Sequence, residues 1–135
     1  MISRSAIVEW NRLVPWPSVD QVEQDLVLSR LIVEIANDPL LGDELVFRGG
    51  TCLHKIVLPR PFRYSEDIDY VRVSHGPIGP ILDALRRIAE HLGMDMATDV
   101  RSFPKAKLRG PSSPGPVRCG SRSRSTRTRH RRPAL

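Results

Sequence analysis

The chain of 135 residues is short of cysteine and of long hydrophobic runs. Its two cysteines, Cys52 and Cys119, are too few for a disulfide framework, so we expect free thiols in a reducing compartment. The N-terminal sequence has no apolar signal core, and the apolar run at residues 31–33 is broken by Glu34. We therefore predict a cytoplasmic protein that does not enter the membrane.

Lysine and acidic residues are absent from the end of the chain, and this absence locates its charge. The formal net charge of +6 suggests a nucleic-acid binder. Residues 1–109, however, contain 14 Lys and Arg against 15 Asp and Glu, whereas residues 110–135 contain seven Arg and no acid. The basicity belongs to the end of the chain, and the rest is close to neutral.

From Gly110 the composition changes to Pro, Gly, Ser, Thr and Arg. Such a segment cannot bury enough apolar surface to offset the entropy of ordering, so disorder is predicted for residues 110–135. Two interpretations stay open for it. It is either an arginine-rich arm that binds RNA by neutralising phosphates, or the product of a frameshift in a GC-rich gene. The exclusive use of Arg over Lys favours the frameshift, and residues 1–109 are then one domain.

Hydrophobic periodicity predicts helices around a few short strands. Ser18 and Gln21 form a capping box before a helix predicted over residues 19–37. A second long helix is predicted over residues 79–91. We interpret the first of these helices as core scaffold without direct chemistry. The strands are predicted over the following ranges: 44–48, 67–73 and 94–103.

Gly49, Gly50 and Thr51 lie where the first predicted strand meets the start of a helix. Glycine lets the backbone turn sharply and lets a ligand approach closely. The free N–H groups of the following helix would face an anion, and Thr51 adds a hydroxyl donor. This composition is typical of a phosphate cradle, although a tight turn explains the same residues.

Asp67 and Asp69 open the second predicted strand, with Ile68 between them. Because side chains alternate in a strand, both carboxylates point to one face while Ile68 points to the core. A rise of about 3.3 Å per residue brings the carboxylates near enough to share one or two divalent cations. A lone Asp-x-Asp also fits a solvated strand face, but the cradle 16 residues upstream makes the combination more specific.

The segments RGGTCLHK (residues 48–55) and RYSEDIDY (residues 63–70) resemble the AbiEii/AbiGii toxin family. That family belongs to the nucleotidyltransferase superfamily, whose hallmark is Gly-Gly-Ser/Thr followed by Asp-x-Asp/Glu. The resemblance is specific over residues 47–70, extends over about residues 19–109, and does not reach the last 26 residues. It implies an α/β (α+β) nucleotidyltransferase-like core, with a small mixed sheet flanked by helices and incomplete at the C-terminus.

The resemblance also implies an activity. A toxin of this family, paired with an antitoxin protein, transfers a nucleotide from an NTP to an RNA acceptor such as tRNA. Asp67 and Asp69 would be the catalytic residues and would hold two Mg²⁺ ions. Gly49, Gly50 and Thr51 would bind the triphosphate.

Three further side chains are candidates for binding phosphate. Lys55 lies one helical turn beyond Thr51 on the same face, although a surface lysine explains it as well. Arg63 and Ser65 precede the carboxylates, and Arg63 either contacts the triphosphate, pairs with Asp67 or is solvated. His54 is interpreted as structural. The basic cluster Lys105, Lys107 and Arg109 fits contact with RNA or nucleotide phosphate, or simple solvation.

Family enzymes generally add a third carboxylate on a later strand. Asp99 is the best strand candidate, and otherwise that strand would lie where the Arg-rich segment begins. Without a third carboxylate the chain would be a catalytically inactive, truncated remnant. A non-catalytic RNA-binding module acting through the Arg-rich segment is the other alternative.

Overall fold

The computed structural model describes residues 2–60, 63–99, 105–109 and 117–123. The helices are α1 (Arg4–Trp10), α2 (Val19–Asn37), α3 (Pro39–Glu44), α4 (Gly49–Cys52), a π-helical turn (Leu53–Val57) and α5 (Gly79–His91). The strands are β1 (Leu45–Arg48), β2 (Asp67–Arg72), β3 (Asp95–Asp99), β4 (Lys105–Arg109) and β5 (Val117–Ser123).

Local capping explains where the first helices begin. The Ser18 hydroxyl accepts a hydrogen bond from the Gln21 N–H at 3.2 Å, so α2 begins where the sequence predicted. The following helix α3 was not predicted from the sequence. Asp38 caps α3 by accepting from the N–H groups of Leu40 and Leu41, both at 2.9 Å, and Pro39 suits its first position.

The five strands form one mixed sheet in the order β1-β2-β5-β4-β3. Strands β2 and β5 are parallel, and the other neighbouring pairs are antiparallel. This arrangement confirms the predicted α/β class with a small mixed sheet. The central position of β5 follows from its two partners, β2 on one side and β4 on the other.

Disorder was predicted for residues 110–135. Within that range Val117–Ser123 form β5 and pair with both β2 and β4, whereas residues 110–116 and 124–135 lie outside the described residues, and disorder there stays a prediction. The physical reason is that a central strand gains hydrogen bonds on both sides, which composition alone does not reveal. The predicted third strand, residues 94–103, is β3 over Asp95–Asp99, and the rest of that range lies outside the described residues.

One face of the sheet packs on the helices. Leu45, Ile68 and Tyr70 are buried on this face and join the core residues of α2 and α5. Val46 and Asp67, from the alternate strand positions, are exposed on the other face. The alternation predicted for Asp67-Ile68-Asp69 is therefore present, and both carboxylates lie on the open face of the sheet.

Candidate active site

Gly49 brings the start of α4 against the carboxylate of Asp69. Its φ of +84° is a backbone conformation that residues with a Cβ rarely adopt. A Cβ on Gly49 would lie 2.7 Å from Asp69 Oδ2, which is closer than atoms approach without displacement. Strand β1 supplies this proximity because Arg48, the preceding residue, is the register partner of Asp69. The two motifs of the sequence therefore meet at one point.

Gly50 has a different environment from Gly49. A Cβ built on Gly50 would meet no atom within 4 Å, and its φ is not positive. The space above Gly50 is therefore open, as a backbone site approached by a ligand requires.

Thr51 ties the glycine segment to the carboxylate strand. Its hydroxyl lies 2.6 Å from both the Ser65 Oγ and the Asp67 carbonyl oxygen, and it donates its one proton to either of them. Thr51 is only 3% exposed. In this arrangement the hydroxyl holds the backbone of Asp67 in place, so it orients the site.

Asp67 and Asp69 are both exposed and lie on the same face of β2. Two adjacent carboxylates offer the hard oxygen ligands that Mg²⁺ prefers, and Mg²⁺ takes the rest of its ligands from water and phosphate. Among the residues that the structure describes, no group of three or more His, Cys, Asp or Glu is placed to hold a metal ion. Binding of Mg²⁺ by Asp67 and Asp69 stays a prediction.

Asp99 does not complete this set. The register runs from Asp69 to Gly120 on β5, to Lys105 on β4, and then to Asp99 on β3. Three strand spacings separate Asp99 from Asp69, which is about 14 Å. One cation cannot bridge that distance, so the expectation for Asp99 was wrong. Strand β5, the neighbour of β2, contains no Asp or Glu.

Lys55 has partners other than the one predicted. Its Nζ lies 2.8 Å from Asp25 Oδ1 and 2.8 Å from Ser29 Oγ, both on α2. The Lys55 side chain is 14% exposed and that of Asp25 is 2% exposed. Lys55 therefore ties the π-helical turn to α2 as half of a buried ion pair. Lys55 is therefore not a surface lysine, which corrects that expectation, and phosphate binding by Lys55 stays a prediction.

Asp25 was missed by the sequence analysis. Besides Lys55, it accepts a hydrogen bond from Trp10 Nε1 at 2.8 Å. No role was predicted for it, because periodicity alone does not show which partner an acidic residue of a helix meets. A signal was present, because the adjacent positions Val22, Leu28 and Leu31 place Asp25 on the buried side.

Arg63 and Ser65 precede β2 and differ in exposure. Arg63 is exposed, and no ion pair joins it to Asp67 among the described contacts. Ser65 is half-buried and contacts Thr51, so its hydroxyl contributes to the backbone network of the site. Phosphate binding by either residue stays a prediction.

Three rings, those of Trp16, His54 and Tyr64, meet close to Lys55 and Ser65. Trp16 stacks on His54 with ring centroids 5.8 Å apart and meets the edge of Tyr64 at 5.6 Å. Burial lowers the pKa of His54 below its usual 6.5, as does the charge of Lys55, although Asp25 and a backbone hydrogen bond with Arg63 oppose the change. Burial also raises the pKa of Tyr64 to about 12. Both groups are therefore neutral at physiological pH, which agrees with a structural His54.

A cavity of about 370 Å³ adjoins the buried ion pair. Asp25, Ser29 and Lys55 line its polar side, and apolar residues of α1, α2 and the π-helical turn line the remainder.

No helix in the described part of the chain is long and apolar enough to cross a membrane.

A family model described as the nucleotidyl transferase AbiEii toxin of type IV toxin–antitoxin systems matches residues 30–132. The match extends past residue 109, so the expectation that the resemblance stops there was wrong. The interpretation of the end of the chain as a frameshift product stays a prediction. No curated protein matches the sequence.

Among solved structures, the chain is similar to MenT4, a nucleotidyltransferase toxin from Mycobacterium tuberculosis. The TM-score is 0.54 and the sequence identity is 18%. The similarity covers 91% of this chain and 44% of the MenT4 chain. It therefore identifies the fold, and this chain spans less than half the length of the protein it matches.

Proposed function

The chain belongs to the AbiEii family of nucleotidyltransferase toxins, and from this premise we propose that it transfers a nucleotide from an NTP to an RNA acceptor. In this proposal Asp67 and Asp69 bind Mg²⁺, and the backbone at Gly49 and Gly50 approaches the triphosphate. A cognate antitoxin protein is the proposed partner, and tRNA is the proposed class of acceptor. The family description supports the toxin role.

One observation carries the proposal, namely the contact between the glycine segment and the carboxylate pair. Gly49 allows the α4 backbone to lie against Asp69, so a triphosphate at Gly50 would reach cations held at Asp67 and Asp69. When bound, the cations would activate an acceptor hydroxyl and stabilise the departing pyrophosphate. The chain's own residues would position these groups. The carboxylates of Asp67 and Asp69 would hold the cations, and Thr51 fixes the backbone of Asp67.

The test is transfer of label from radioactive NTP to total cellular RNA in the presence of Mg²⁺. We expect Asp67→Asn and Asp69→Asn to abolish labelling, because Asn keeps the shape of the side chain and removes its charge. The matched control is Asp43→Asn, which removes the same charge from an exposed position on α3. Labelling that survives either site variant would contradict the site assignment.

A second candidate function is RNA binding without transfer. The register partners of Asp67 and Asp69 on β5 are Arg118 and Gly120, so the neighbouring strand supplies no carboxylate next to the pair. With two carboxylates instead of three, transfer by this chain would be weaker than in family members that have all three. RNA binding that persists in Asp67→Asn without any labelling by the unmodified chain would favour this candidate.

A further inference from the structure

Arg48 lies opposite Asp69 at the end of strand β1. The two are register partners in the antiparallel pair of β1 and β2. Directly opposite residues of such a pair have Cβ atoms about 4.5–5.5 Å apart. The preceding partners, Phe47 and Tyr70, stack with ring centroids 5.1 Å apart, and Tyr70 is buried in the core. Because side chains alternate along a strand, Arg48 and Asp69 lie on the opposite, open face, where both are exposed.

The backbone at Arg48 gives its side chain no local capping role. Its φ of −147° and ψ of −174° are extended, and it stands at the N-cap of α4 without a side-chain hydrogen bond. Among the described residues, no hydrogen bond or ion pair holds the Arg48 guanidinium, and Asp69 is not paired with it. The five N–H donors of this guanidinium are therefore available to a ligand.

The groups around Arg48 are those of the proposed site. Asp69 stands opposite, and Asp67 lies two positions along β2 on the same face. Gly49 follows Arg48 directly, and a Cβ at Gly49 would lie 2.7 Å from Asp69 Oδ2. The Lys55 ammonium, by contrast, is held in a buried ion pair. Arg48 is thus an exposed cation at the point where the glycine segment meets the carboxylate pair.

The chemistry of arginine suits a phosphate ligand at this point. If Asp67 and Asp69 hold cations, their carboxylate oxygens are occupied, and a neighbouring guanidinium is left to bind another anion. The planar fork of arginine donates two parallel hydrogen bonds to the oxygens of one phosphate group. A triphosphate placed at the glycine segment brings such oxygens beside Arg48.

We propose that the guanidinium fork of Arg48 binds the β- and γ-phosphates of the NTP and stabilises the pyrophosphate as it departs. The inference rests on the proposed function, since that function makes an NTP the substrate. In the reaction the acceptor hydroxyl oxygen bonds to the α-phosphorus, and its proton passes to water. The bond from the α-phosphorus to the bridging oxygen breaks, and its electron pair leaves on the pyrophosphate. Negative charge therefore grows on the group that Arg48 binds, where a fixed cation is most effective.

The experiment measures the binding of inorganic pyrophosphate to the full chain by calorimetric titration with Mg²⁺, without RNA or NTP. We expect Arg48→Gln to weaken binding about 10- to 100-fold, the range for hydrogen bonds to a charged group. Arg48→Lys keeps the charge and loses the fork, so its affinity should lie between those of Arg48→Gln and the unmodified chain. Arg4→Gln removes an exposed arginine from α1 and should bind like the unmodified chain.

Three results of this titration would overturn the proposal. They are an unchanged affinity in Arg48→Gln, an equal loss in Arg4→Gln, and no measurable binding by the unmodified chain. Far-UV circular dichroism compares the melting temperatures of the variants. If Arg48→Gln melts lower than the unmodified chain, Arg48→Lys carries the test, and an affinity equal to that of the unmodified chain would then overturn the proposal.

A second titration, with Mn²⁺ and no phosphate, separates phosphate binding from support of Asp69. Arg48→Gln removes a positive charge beside the carboxylates, so its Mn²⁺ affinity should be equal to or higher than that of the unmodified chain. A loss of Mn²⁺ affinity as large as the loss of pyrophosphate affinity would show that the substitution disturbs Asp69, and the proposal would be wrong.

Neither titration depends on transfer to RNA. Weakened pyrophosphate binding in Arg48→Gln, together with no RNA labelling by the unmodified chain, would contradict the proposed function and leave the phosphate contact standing. RNA labelling that requires Asp67, together with normal pyrophosphate binding in Arg48→Gln, would overturn the role of Arg48 and leave the proposed function standing.

Discussion

At the scale of single residues, Gly49 and Gly50 are adjacent in sequence but constrained in opposite ways. Gly49 has a φ of +84° and no room for a Cβ beside Asp69, whereas Gly50 has open space around its Cα. We expect Gly49→Ala to lower the free energy of unfolding by about 1–2 kcal/mol from backbone conformation alone. Gly50→Ala in α4 should be neutral or stabilising by up to about 1 kcal/mol. Urea unfolding of both variants measures this difference.

The two glycine variants also separate stability from the site. Gly49→Ala should displace the Asp69 carboxylate, so divalent-cation binding should weaken together with stability. Equal urea midpoints for the two variants would contradict the conformation described for Gly49.

His54 makes stability depend on pH. The pKa of His54 in the folded chain is lowered, chiefly by burial. As the pH falls towards 6.5 and below, the unfolded chain therefore binds more protons at this residue than the folded chain does. We therefore expect stability to decrease as the pH is lowered from 7.5 to 5.5. His54→Phe keeps an aromatic ring against Trp16 and removes the titration, so this variant should lose less stability over the same range.

Thermal unfolding of the unmodified chain and of His54→Phe at several pH values measures the effect. A pH dependence in His54→Phe as large as in the unmodified chain would refute the role of His54.

At the scale of elements, the Lys55–Asp25 pair joins the π-helical turn to α2. Removing one partner leaves a buried charge uncompensated, which typically costs about 3–5 kcal/mol. We expect Asp25→Ala and Lys55→Met each to cause a loss of this order. The surface pair Arg30–Glu34 is the control, since Glu34→Gln should cost less than about 1 kcal/mol. Urea unfolding gives the comparison, and a small effect of Lys55→Met would show that the pair is not buried.

Strand β5 offers a position for the missing carboxylate. Gly120 is the register partner of Asp69, so Gly120→Asp would add a third acid to the row on the same face. We expect Mn²⁺ to bind on the order of tenfold more tightly, because affinity increases with the number of charged ligands. Ser121→Asp adds the same charge at a position of the opposite face and is the control. Equal Mn²⁺ affinities of the two variants in calorimetric titration would contradict the register of β5.

At the scale of the whole molecule, β5 determines whether the sheet is continuous. It lies between β2 and β4, so a chain ending at residue 109 would lose every hydrogen bond that joins the two halves of the sheet. We expect that chain to melt at a clearly lower temperature than a chain ending at Ser123, which keeps all five strands. If residues 110–135 are disordered, as the composition predicts, the two shortened chains should melt at the same temperature. Equal melting temperatures of the two shortened chains would favour disorder.

The sequence by itself determined the parts of this protein that depend on short-range patterns. Helix α2, the alternation of Asp67, Ile68 and Asp69, and the pairing of a glycine turn with two carboxylates all follow from periodicity and local backbone rules. The family resemblance rests on the last two of these, the glycine turn and the carboxylate strand.

Only the tertiary structure decided which distant residues meet. Periodicity places Asp25 on the buried side of α2, but it does not show the partner, because Lys55 comes from 30 residues away. Asp99 is excluded as a third ligand by the order of the strands, and β5 exists because two other strands flank it. The physical reason is common to these cases: burial and strand pairing are set by contacts between segments far apart in sequence, which composition does not encode.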